Sequence, residues 1–286
     1  MENAAISPQW AADEYQLLDF GNGRKLESFA GVRIDRPCPA AQNSRPNPQV
    51  DWSAVAARLA ARGKIVVGQV PEQGWQVRFG ELRFQLKLTP FGHLGLFPEQ
   101  ASNWHWLIQQ LPRTASERRL RALNLFAYTG GTTMVLAAAG VEVVHVDASA
   151  PAVKWARGNA TNSGLDGQPI RWIVEDARKF VQREIRRGNH YDIIVLDPPS
   201  YGHGPGGKRW NIDEDLHPLL EDCFQLLTPQ PALLLLTAHS DTLDERGLAS
   251  SILQHAPTAS CARGRLELVA AQDARLDAGF FVRCRF

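Results

Sequence analysis

The sequence predicts an α/β protein in which a doubly wound, mostly parallel sheet follows a small β-rich N-terminal domain. Up to about Thr89, apolar and polar residues alternate with the period of two that is typical of strands with one buried face. From about Phe91, apolar runs alternate with helical segments, which is the pattern of a parallel sheet covered by helices. We therefore predict two domains, covering residues 1–90 and 91–286.

The N-terminal domain is expected to contain hairpins. Asp19–Gly23 is a turn between two apolar stretches, and Trp75–Phe79 and Leu82–Leu88 alternate in the same way on either side of Gly80. Pro37–Pro48 is rich in Pro, Asn and Ala, which predicts a loop. These residues do not decide between a structural domain and a substrate-docking domain.

The second domain is expected to contain seven strands with helices between them. Apolar runs predict strands at Leu123–Phe126, Val141–Val146, Ile170–Val174, Ile193–Leu196, Ala232–Leu236, Arg265–Ala271 and Gly279–Phe286. Caps and periodicity predict helices at Ser102–Leu111 with Ser102 as the cap, at Thr132–Ala139, after Ser149, from Ala177 and at Asp215–Leu227. In such a fold the ligand lies at the carboxyl ends of the strands.

The charge of the chain is balanced, with 31 Lys and Arg against 30 Asp and Glu, so the chain is not a general polyanion binder. Two local clusters of arginine are the electrostatic features that indicate RNA, and solvated helix faces would explain them equally well. The clusters are Arg113, Arg118, Arg119 and Arg121, and Arg183, Arg186 and Arg187.

The cysteines indicate a reducing environment. Cys38, Cys223, Cys261 and Cys284 form no CxxC pair and no zinc-ligand pattern, so we expect reduced thiols and no metal site. Met1–Trp10 lacks the pattern of a leader peptide, and no apolar run reaches the about 18 residues that a membrane span needs. We therefore expect a cytoplasmic protein without a membrane segment.

The residues after the first two predicted strands suggest a nucleoside-containing ligand. Two glycines end Phe126–Gly131, where the backbone can pass close to a ligand before it enters a helix. Asp147 ends the second strand, where a carboxylate can accept hydrogen bonds from both hydroxyls of a ribose. The alternative role for Asp147 is a cap on the following helix.

The next two strand ends point to adenine and to a planar amine. Asp176 could accept from the exocyclic amine of adenine while the amide of Ala177 donates to the ring, although Asp176 would equally favour a helix N-terminus. The strongest motif is Asp197-Pro198-Pro199-Ser200-Tyr201, which follows a wholly apolar strand. Acceptors from Asp197 and a proline carbonyl would free the lone pair of a base amine for attack on a methyl sulfonium. The ring of Tyr201 could stack on that base.

Four segments resemble the class I methyltransferases that use S-adenosylmethionine (SAM): LNLFAYTGG, VEVVHVDAS, VEDARKF and DIIVLDPPSYG. The likeness covers about Phe91 to Phe286 and looks greatest to the bacterial enzymes that methylate cytosine or guanine in large-subunit ribosomal RNA. It implies a Rossmann-like methyltransferase fold, SAM as the cofactor and RNA, ribosomal RNA in particular, as the partner. It leaves the oligomeric state open.

The resemblance also implies a role for each strand end. The methionine part of SAM would be wrapped by Phe126, Ala127, Tyr128, Thr129, Gly130 and Gly131. The ribose would be bound by Asp147, next to Ala148 and Ser149, and the adenine by Asp176 and Ala177. The base would face Asp197, Pro198, Pro199 and Tyr201, with Asp197 also close to the cofactor. The segment GLFPEQASNW resembles the lead-in of the family, which would place Phe97 and Gln100 near SAM.

Two departures from the family leave the target base open. Members that methylate carbon 5 of cytosine carry a cysteine beside the fifth strand, where this chain has Thr237-Ala238-His239-Ser240. The RNA-docking domain that often precedes the catalytic domain in cytosine-modifying members is not recognisable here. We therefore predict direct attack by a nitrogen or oxygen lone pair, without a cysteine adduct.

Three alternatives remain open at this point. A NAD-dependent dehydrogenase would share Asp147 and the glycine turn, but it needs GxGxxG, which Gly130-Gly131 does not supply. A methyltransferase acting on DNA, protein or a small molecule would also fit the Asp197 motif. A non-catalytic SAM-binding module would keep the cofactor site without any transfer. His203 and His239 could touch a substrate, but lone loop histidines are more typical of the surface.

Overall fold

The computed structural model describes residues 10–60, 63–90, 92–112, 118–203, 209–229, 231–240, 242–270 and 273–286. Contacts between Cα atoms divide the chain into two compact units. The larger unit includes Asn103–Arg265 and Gly279–Phe286, and the smaller unit includes Ile6–Ser102 and Leu266–Ala278. The smaller unit therefore contains a second, C-terminal segment in addition to the N-terminal strands.

The smaller unit is built from antiparallel hairpins and one short parallel pairing. Its strands are β1 Tyr15–Gly21, β2 Arg24–Phe29, β3 Val32–Pro37, β4 Ala57–Leu59, β5 Ile65–Gly68, β6 Trp75–Phe79 and β7 Leu82–Leu86. The first five form a sheet in the order β1-β2-β3-β4-β5, and β6 pairs with β7. The predicted turn lies at Asn22 and Gly23, whose left-handed φ angles are 53° and 74°.

Two buried carboxylates stabilise the five-stranded sheet through ion pairs. Glu27 accepts from the guanidinium of Arg36 at 2.5 Å, and its side chain is fully buried. Asp35 accepts from Arg24 and Arg58, each at 2.6 Å. Because a buried charge is costly unless it is paired, these arginines are part of the fold of this unit.

The predicted seven-stranded, mostly parallel sheet belongs to the larger unit, except for the parts of its last two strands that fall within Leu266–Ala278. Its strands are β8 Arg121–Leu125, β9 Glu142–Asp147, β10 Ile170–Val174, β11 Ile193–Leu196, β14 Leu233–Ala238, β15 Ser260–Val269 and β16 Arg275–Arg285. The strand order is β10-β9-β8-β11-β14-β16-β15, in which β16 runs antiparallel to β14. The chain leaves β8 on one side for β9 and β10 and returns on the other side for β11, so the switch point lies between β8 and β11.

The register of the parallel strands brings their ends to one edge of the sheet. Leu196 lies opposite Leu125 and Leu236, and Asp147 lies opposite Val174. All four residues of β11 are buried, as expected for a strand covered on both faces. The loops that follow β8, β9, β10 and β11 therefore emerge side by side.

Six helices accompany the strands of the larger unit within the described residues. They are α1 Ala101–Gln110, α2 Gly131–Ala138, α3 Ala150–Asn162, α4 Ala177–Arg186, α5 Ile212–Phe224 and α6 Glu245–His255. Among the described residues, no helix is both long and apolar enough to cross a membrane. Ser149 caps α3 by accepting from the amide of Ala152 at 3.3 Å, as predicted.

Two of the predicted helix starts are wrong. Ser102 is the second residue of α1 and not its cap, because the 3₁₀ turn Pro98–Gln100 leads directly into the helix. Helix α5 begins at Ile212 instead of Asp215, because Asn211 accepts from the amide of Asp213 and caps the helix earlier.

The segments after the Asp197 motif and at the C-terminus are more strand-rich than predicted. A small hairpin pairs β12 Tyr201–His203 with β13 Arg209–Asn211, where we expected a loop. The last two strands are also longer than predicted.

The expectation that all four thiols are reduced is wrong for two of them. Cys261 of β15 and Cys284 of β16 form a disulfide, with their Cα atoms 4.1 Å apart. The two cysteines are distant in sequence, and only the pairing of the last two strands brings them together. Cys38 and Cys223 are free, and Cys223 is buried.

Candidate functional site

The loop after β8, Phe126–Gly131, has an unusual backbone, and we call it the cofactor loop. Phe126, Tyr128 and Gly130 have left-handed φ angles of 56°, 48° and 88°. For Phe and Tyr this conformation is strained, and such strain is concentrated at ligand sites. Alternation of left-handed residues also turns successive backbone amides towards one side, which suits an anionic or polar ligand.

Hydrogen bonds from two neighbouring elements hold the cofactor loop in this conformation. The amide of Ala127 donates to the carbonyl of Val146 at 3.1 Å, and the side-chain amide of Asn159 donates to the carbonyl of Thr129 at 3.0 Å. A Cβ atom at Gly131 would lie 2.6 Å from the ring of Trp104, so only glycine fits where α2 begins.

Asp147, at the end of β9, is hydrogen-bonded to the cofactor loop. One carboxylate oxygen accepts from the amide of Tyr128 and the other from the amide of Ser149, both at 2.8 Å. Burial raises the pKa of Asp147, and these two backbone hydrogen bonds only partly oppose that shift. A carboxylate offers about four lone-pair positions, so both oxygens can still accept hydroxyl donors. Ala148 lies half-buried beside it.

Asp176 lies at the end of β10 and acts as a helix cap. Its carboxylate accepts from the amide of Lys179 at 3.1 Å and lies 3.5 Å from the guanidinium of Arg178. Ala177 is the buried first residue of α4. These contacts are those of the alternative structural role, so the adenine role of Asp176 and Ala177 stays a prediction.

The loop after β11, Asp197–Tyr201, lies at the same sheet edge, and we call it the acceptor loop. The hydroxyl of Thr237, on the neighbouring strand β14, donates to Asp197 at 2.5 Å. Pro198 is buried, whereas Pro199 is exposed, and the side chain of Tyr201 is 64% exposed. An exposed aromatic ring in the same loop as a half-buried carboxylate is suited to a flat, polar substrate.

Trp210 and His239 also contact the acceptor loop, and neither residue was predicted to hold that loop. The indole Nε1 of Trp210 donates to the carbonyl of Pro199 at 2.7 Å, and the Ser200 hydroxyl donates to the carbonyl of His239 at 2.6 Å. Thr237 could have been found, because it ends a parallel strand as Asp147 and Asp197 do. Trp210 had no such signal, since no strand was predicted between Leu196 and the helix at Asp215–Leu227.

Four further residues were predicted to lie near the cofactor or to touch a substrate. Phe97 precedes the 3₁₀ turn Pro98–Gln100, and both Phe97 and Gln100 belong to the smaller unit. Their role at the cofactor stays a prediction. His239 is exposed and packs on Gly279, while the backbone of His203 lies in β12. Within the described ranges, no group of three or more His, Cys, Asp or Glu side chains could hold a metal ion.

Four arginines of the predicted basic clusters form ion pairs within the larger unit. The pairs are Arg118 with Asp192, Arg121 with Glu142, Arg183 with Glu175 and Arg187 with Glu184. Arg113 lies outside the described residues. The clusters therefore serve the fold in large part and are weak evidence for an RNA surface.

Comparisons with known proteins agree with the predicted family. Residues 58–259 match the family described as S-adenosylmethionine-dependent methyltransferase. The crystal structure of a SAM-dependent methyltransferase from Agrobacterium tumefaciens is 35% identical, with a TM-score of 0.91, over 99% of this chain and 94% of that one.

Two sequence relatives are named ribosomal RNA large subunit methyltransferase I. The protein of Aeromonas salmonicida is 30% identical over 69% of this chain, and that of Tolumonas auensis is 37% identical over 62%. The matches cover only 48% and 43% of those relatives, so the chain spans less than half of their length. The family match and the Agrobacterium structure together confirm SAM as the cofactor and show that this chain belongs to the S-adenosylmethionine-dependent methyltransferase family.

Proposed function

We propose that this protein transfers the methyl group of SAM to a nucleobase, in ribosomal RNA, by direct attack of a base nitrogen or oxygen. The observation that carries the proposal is the acceptor loop. Asp197 is held at the end of β11 by the Thr237 hydroxyl, between a stiff pair of prolines and the β14 strand end. This arrangement supports hydrogen bonding to a planar amine next to the cofactor loop.

The residues of the cofactor loop fit SAM. Asp147 is fixed by two backbone amides and can accept from the ribose hydroxyls. The N-terminus of α2, which begins at Gly131, favours the carboxylate of the methionine part. We infer that Phe126–Gly131 binds the methionine part and that Asp176 and Ala177 lie near the adenine.

The residues of the acceptor loop would orient the base and accept hydrogen bonds from its amine. SAM, when bound, supplies a methyl group on a sulfonium, which a lone pair can attack. Asp197 and a proline carbonyl would accept from the amine hydrogens, which makes the lone pair more available. The exposed ring of Tyr201 supplies a surface on which the base can stack. Pro198 and Pro199 limit the backbone freedom of this loop.

Ribosomal RNA is proposed as the substrate because of the names of the two relatives. The arginine clusters add little, since four of their members are paired with acids. A methyl acceptor in DNA, protein or a small molecule, and a SAM-binding module without transfer, are the outcomes against which the substrate must be tested.

A cysteine adduct is not part of the proposed reaction. Near the end of β14, this chain has Thr237 in place of a cysteine, and the Thr237 hydroxyl donates a hydrogen bond to Asp197. Cys223 is buried in the core, and burial raises the pKa of its thiol well above the ordinary range. Cys261 and Cys284 are joined to each other, and Cys38 belongs to the smaller unit.

The test is transfer of radiolabelled methyl from SAM into material from a strain that lacks the gene. Ribosomal RNA, assembled ribosomal subunits, DNA and total protein are offered in separate reactions. We expect label in RNA or subunits and its loss with Asp197→Ala. Label in DNA or protein alone would replace the proposed substrate. Binding of SAM without transfer to any fraction would support the non-catalytic alternative.

A further inference from the structure

Trp210 is a buried indole that touches three of the strand-end segments at once. Its side chain contacts the acceptor loop, the cofactor loop and the first turn of α4, and only 5% of the residue is exposed. We propose that Trp210 is the positioning residue of the acceptor loop and couples it to the state of the cofactor loop. The roles given to the acceptor loop and to the cofactor loop both rest on the proposed function.

The first contact fixes the backbone of the acceptor loop. The indole N–H donates to the carbonyl of Pro199 at 2.7 Å, two residues after Asp197. Strand pairing of Gly202 with Trp210, and the bond from the amide of Ile212 to the carbonyl of Ser200, hold the same stretch from the other side. Any shift of Trp210 would therefore move the segment that carries Asp197.

The second contact reaches the cofactor loop. The ring of Trp210 lies 4.8 Å from the ring of Phe126, centroid to centroid, at an interplanar angle of 56°. Phe126 begins the strained stretch, with a φ of 56°. Because the backbone of Phe126 is held in a sparsely populated region, a small change in the conformation of the cofactor loop would displace the Phe126 ring.

The third contact limits the freedom of Trp210 itself. The guanidinium of Arg178 lies 5.6 Å from the centre of the Trp210 ring. Arg178 is held in turn by Asp215 and by the carbonyl of Arg209, the latter at 3.3 Å. A cation over an indole face is favourable, and more so when it is partly desolvated. The indole thus contacts both Phe126 and Arg178, and it transmits a displacement from the cofactor loop to the acceptor loop.

The experiment measures amide hydrogen exchange with and without S-adenosylhomocysteine (SAH), so that no methyl acceptor is needed. In the unmodified protein we expect SAH to slow exchange in the cofactor loop and also at the amides of Ser200, Tyr201 and Gly202. The Trp210→Phe variant keeps a ring but loses the hydrogen-bond donor. In this variant, the protection from exchange that SAH gives to the acceptor-loop amides should be about tenfold smaller, as expected for the loss of one hydrogen bond. The SAH affinity should stay within about threefold.

Trp75→Phe is the matched control, because the indole of Trp75 donates to the carbonyl of Phe29 at 3.0 Å in the smaller unit. It removes the same kind of bond and should leave the response of the acceptor loop unchanged. If Trp210→Phe fails to fold, benzothienylalanine in place of Trp210 keeps the bicyclic ring and removes only the N–H.

Three results would overturn the proposal. SAH could leave exchange at the acceptor-loop amides unchanged, or it could slow that exchange in the Trp210 variant as much as in the unmodified protein. The third is a loss of SAH affinity in the variant that greatly exceeds threefold. Loss of the response without any methylation of ribosomal RNA would leave Trp210 as a positioning residue and remove only the proposed substrate.

Discussion

Two half-buried acids at the sheet edge of the larger unit have surroundings opposite to those of two buried acids in the smaller unit. In the smaller unit, Glu27 and Asp35 are almost completely buried and accept from arginine side chains. In the larger unit, Asp147 accepts from two backbone amides, and the Thr237 hydroxyl donates to Asp197. The first pair of acids is neutralised by cations, whereas the second pair is oriented by neutral donors.

The pKa values follow this difference. Burial alone would raise the pKa of Glu27, but the charges of Arg36 and Lys25 outweigh it and lower the pKa to about 2. For Asp147, burial also raises the pKa, and two amide hydrogen bonds do not reverse the shift. An acid paired with cations stabilises the fold, whereas an acid held by amides keeps acceptor capacity for a ligand. The comparison therefore separates structural acids from site acids.

The largest expected effect is on the stability of the smaller unit. Glu27→Gln leaves the buried Arg36 without its counter-charge, which typically costs about 3–5 kcal/mol. Urea unfolding should show this loss, while SAH affinity in the folded protein should stay within about threefold. Glu81→Gln is the control, since Glu81 is exposed and its change should stay within about 0.5 kcal/mol. A loss below about 1 kcal/mol for Glu27→Gln would contradict the structural role.

The pH dependence of stability provides a second test of the role of Glu27. Because the pKa of Glu27 is lowered on folding, its contribution is complete above the unfolded value of 4.5 and is lost as the pH falls towards 2. The Glu27→Gln variant should therefore lose less stability than the unmodified protein over that range.

The next effect is on the chemical step. Asp197→Ala should slow methyl transfer by at least about 100-fold, because the acceptor for the base amine is removed. SAH affinity should stay within several-fold, and the unfolding midpoint should move little, since Asp197 is half-buried and accepts from the neutral hydroxyl of Thr237. Single-turnover rates at saturating substrate provide the measurement. Rates that hardly change would make Asp197 a structural acid like Asp35 and would remove the distinction between the two units.

A smaller effect is expected on cofactor binding. Asp147→Ala removes a charged acceptor for the ribose hydroxyls, which costs about 1.5–3 kcal/mol, or roughly 10–150-fold in affinity. Titration calorimetry with SAH provides the measurement, and Asp166→Ala, beyond the end of α3 on the exposed surface, is the control. Unchanged affinity would show that Asp147 serves the loop alone. Tighter binding of NAD than of SAH would contradict the cofactor.

Acidification should weaken SAH binding through the same residue. A protonated carboxyl is the poorer acceptor, and because the pKa of Asp147 is raised, the loss should begin at a higher pH than for an ordinary aspartate. The effect on folding has the opposite sign, since a raised pKa means that the folded state binds the proton more tightly. Asp147→Asn should remove the pH dependence of binding.

The strand ends could be predicted from the sequence, and the contacts that orient them could not. Asp147 and Asp197 were identified because apolar runs mark where parallel strands stop, and β11 has the predicted bounds. Trp210 and the Cys261–Cys284 disulfide depend on pairings between strands, which a single sequence does not record. Ser102 was assigned as a cap because the local pattern could not show that a 3₁₀ turn precedes it.

The smallest expected effect concerns a buried thiol. Cys223 lies in the core of the larger unit, where burial raises the pKa of its thiol, so the thiolate needed for attack on a cytosine ring is not formed near neutral pH. Cys223→Ala should cost about 1 kcal/mol of stability and leave the transfer rate within about twofold.

RNA that contains 5-fluorocytosine should form no adduct that survives denaturation, with the unmodified protein or with Cys38→Ser. Mass spectrometry of the denatured mixture provides the measurement, because an adduct on any of the four cysteines would carry the mass of a nucleotide. Such an adduct would mean that a cysteine reaches the base, and the target would then be carbon 5 of cytosine.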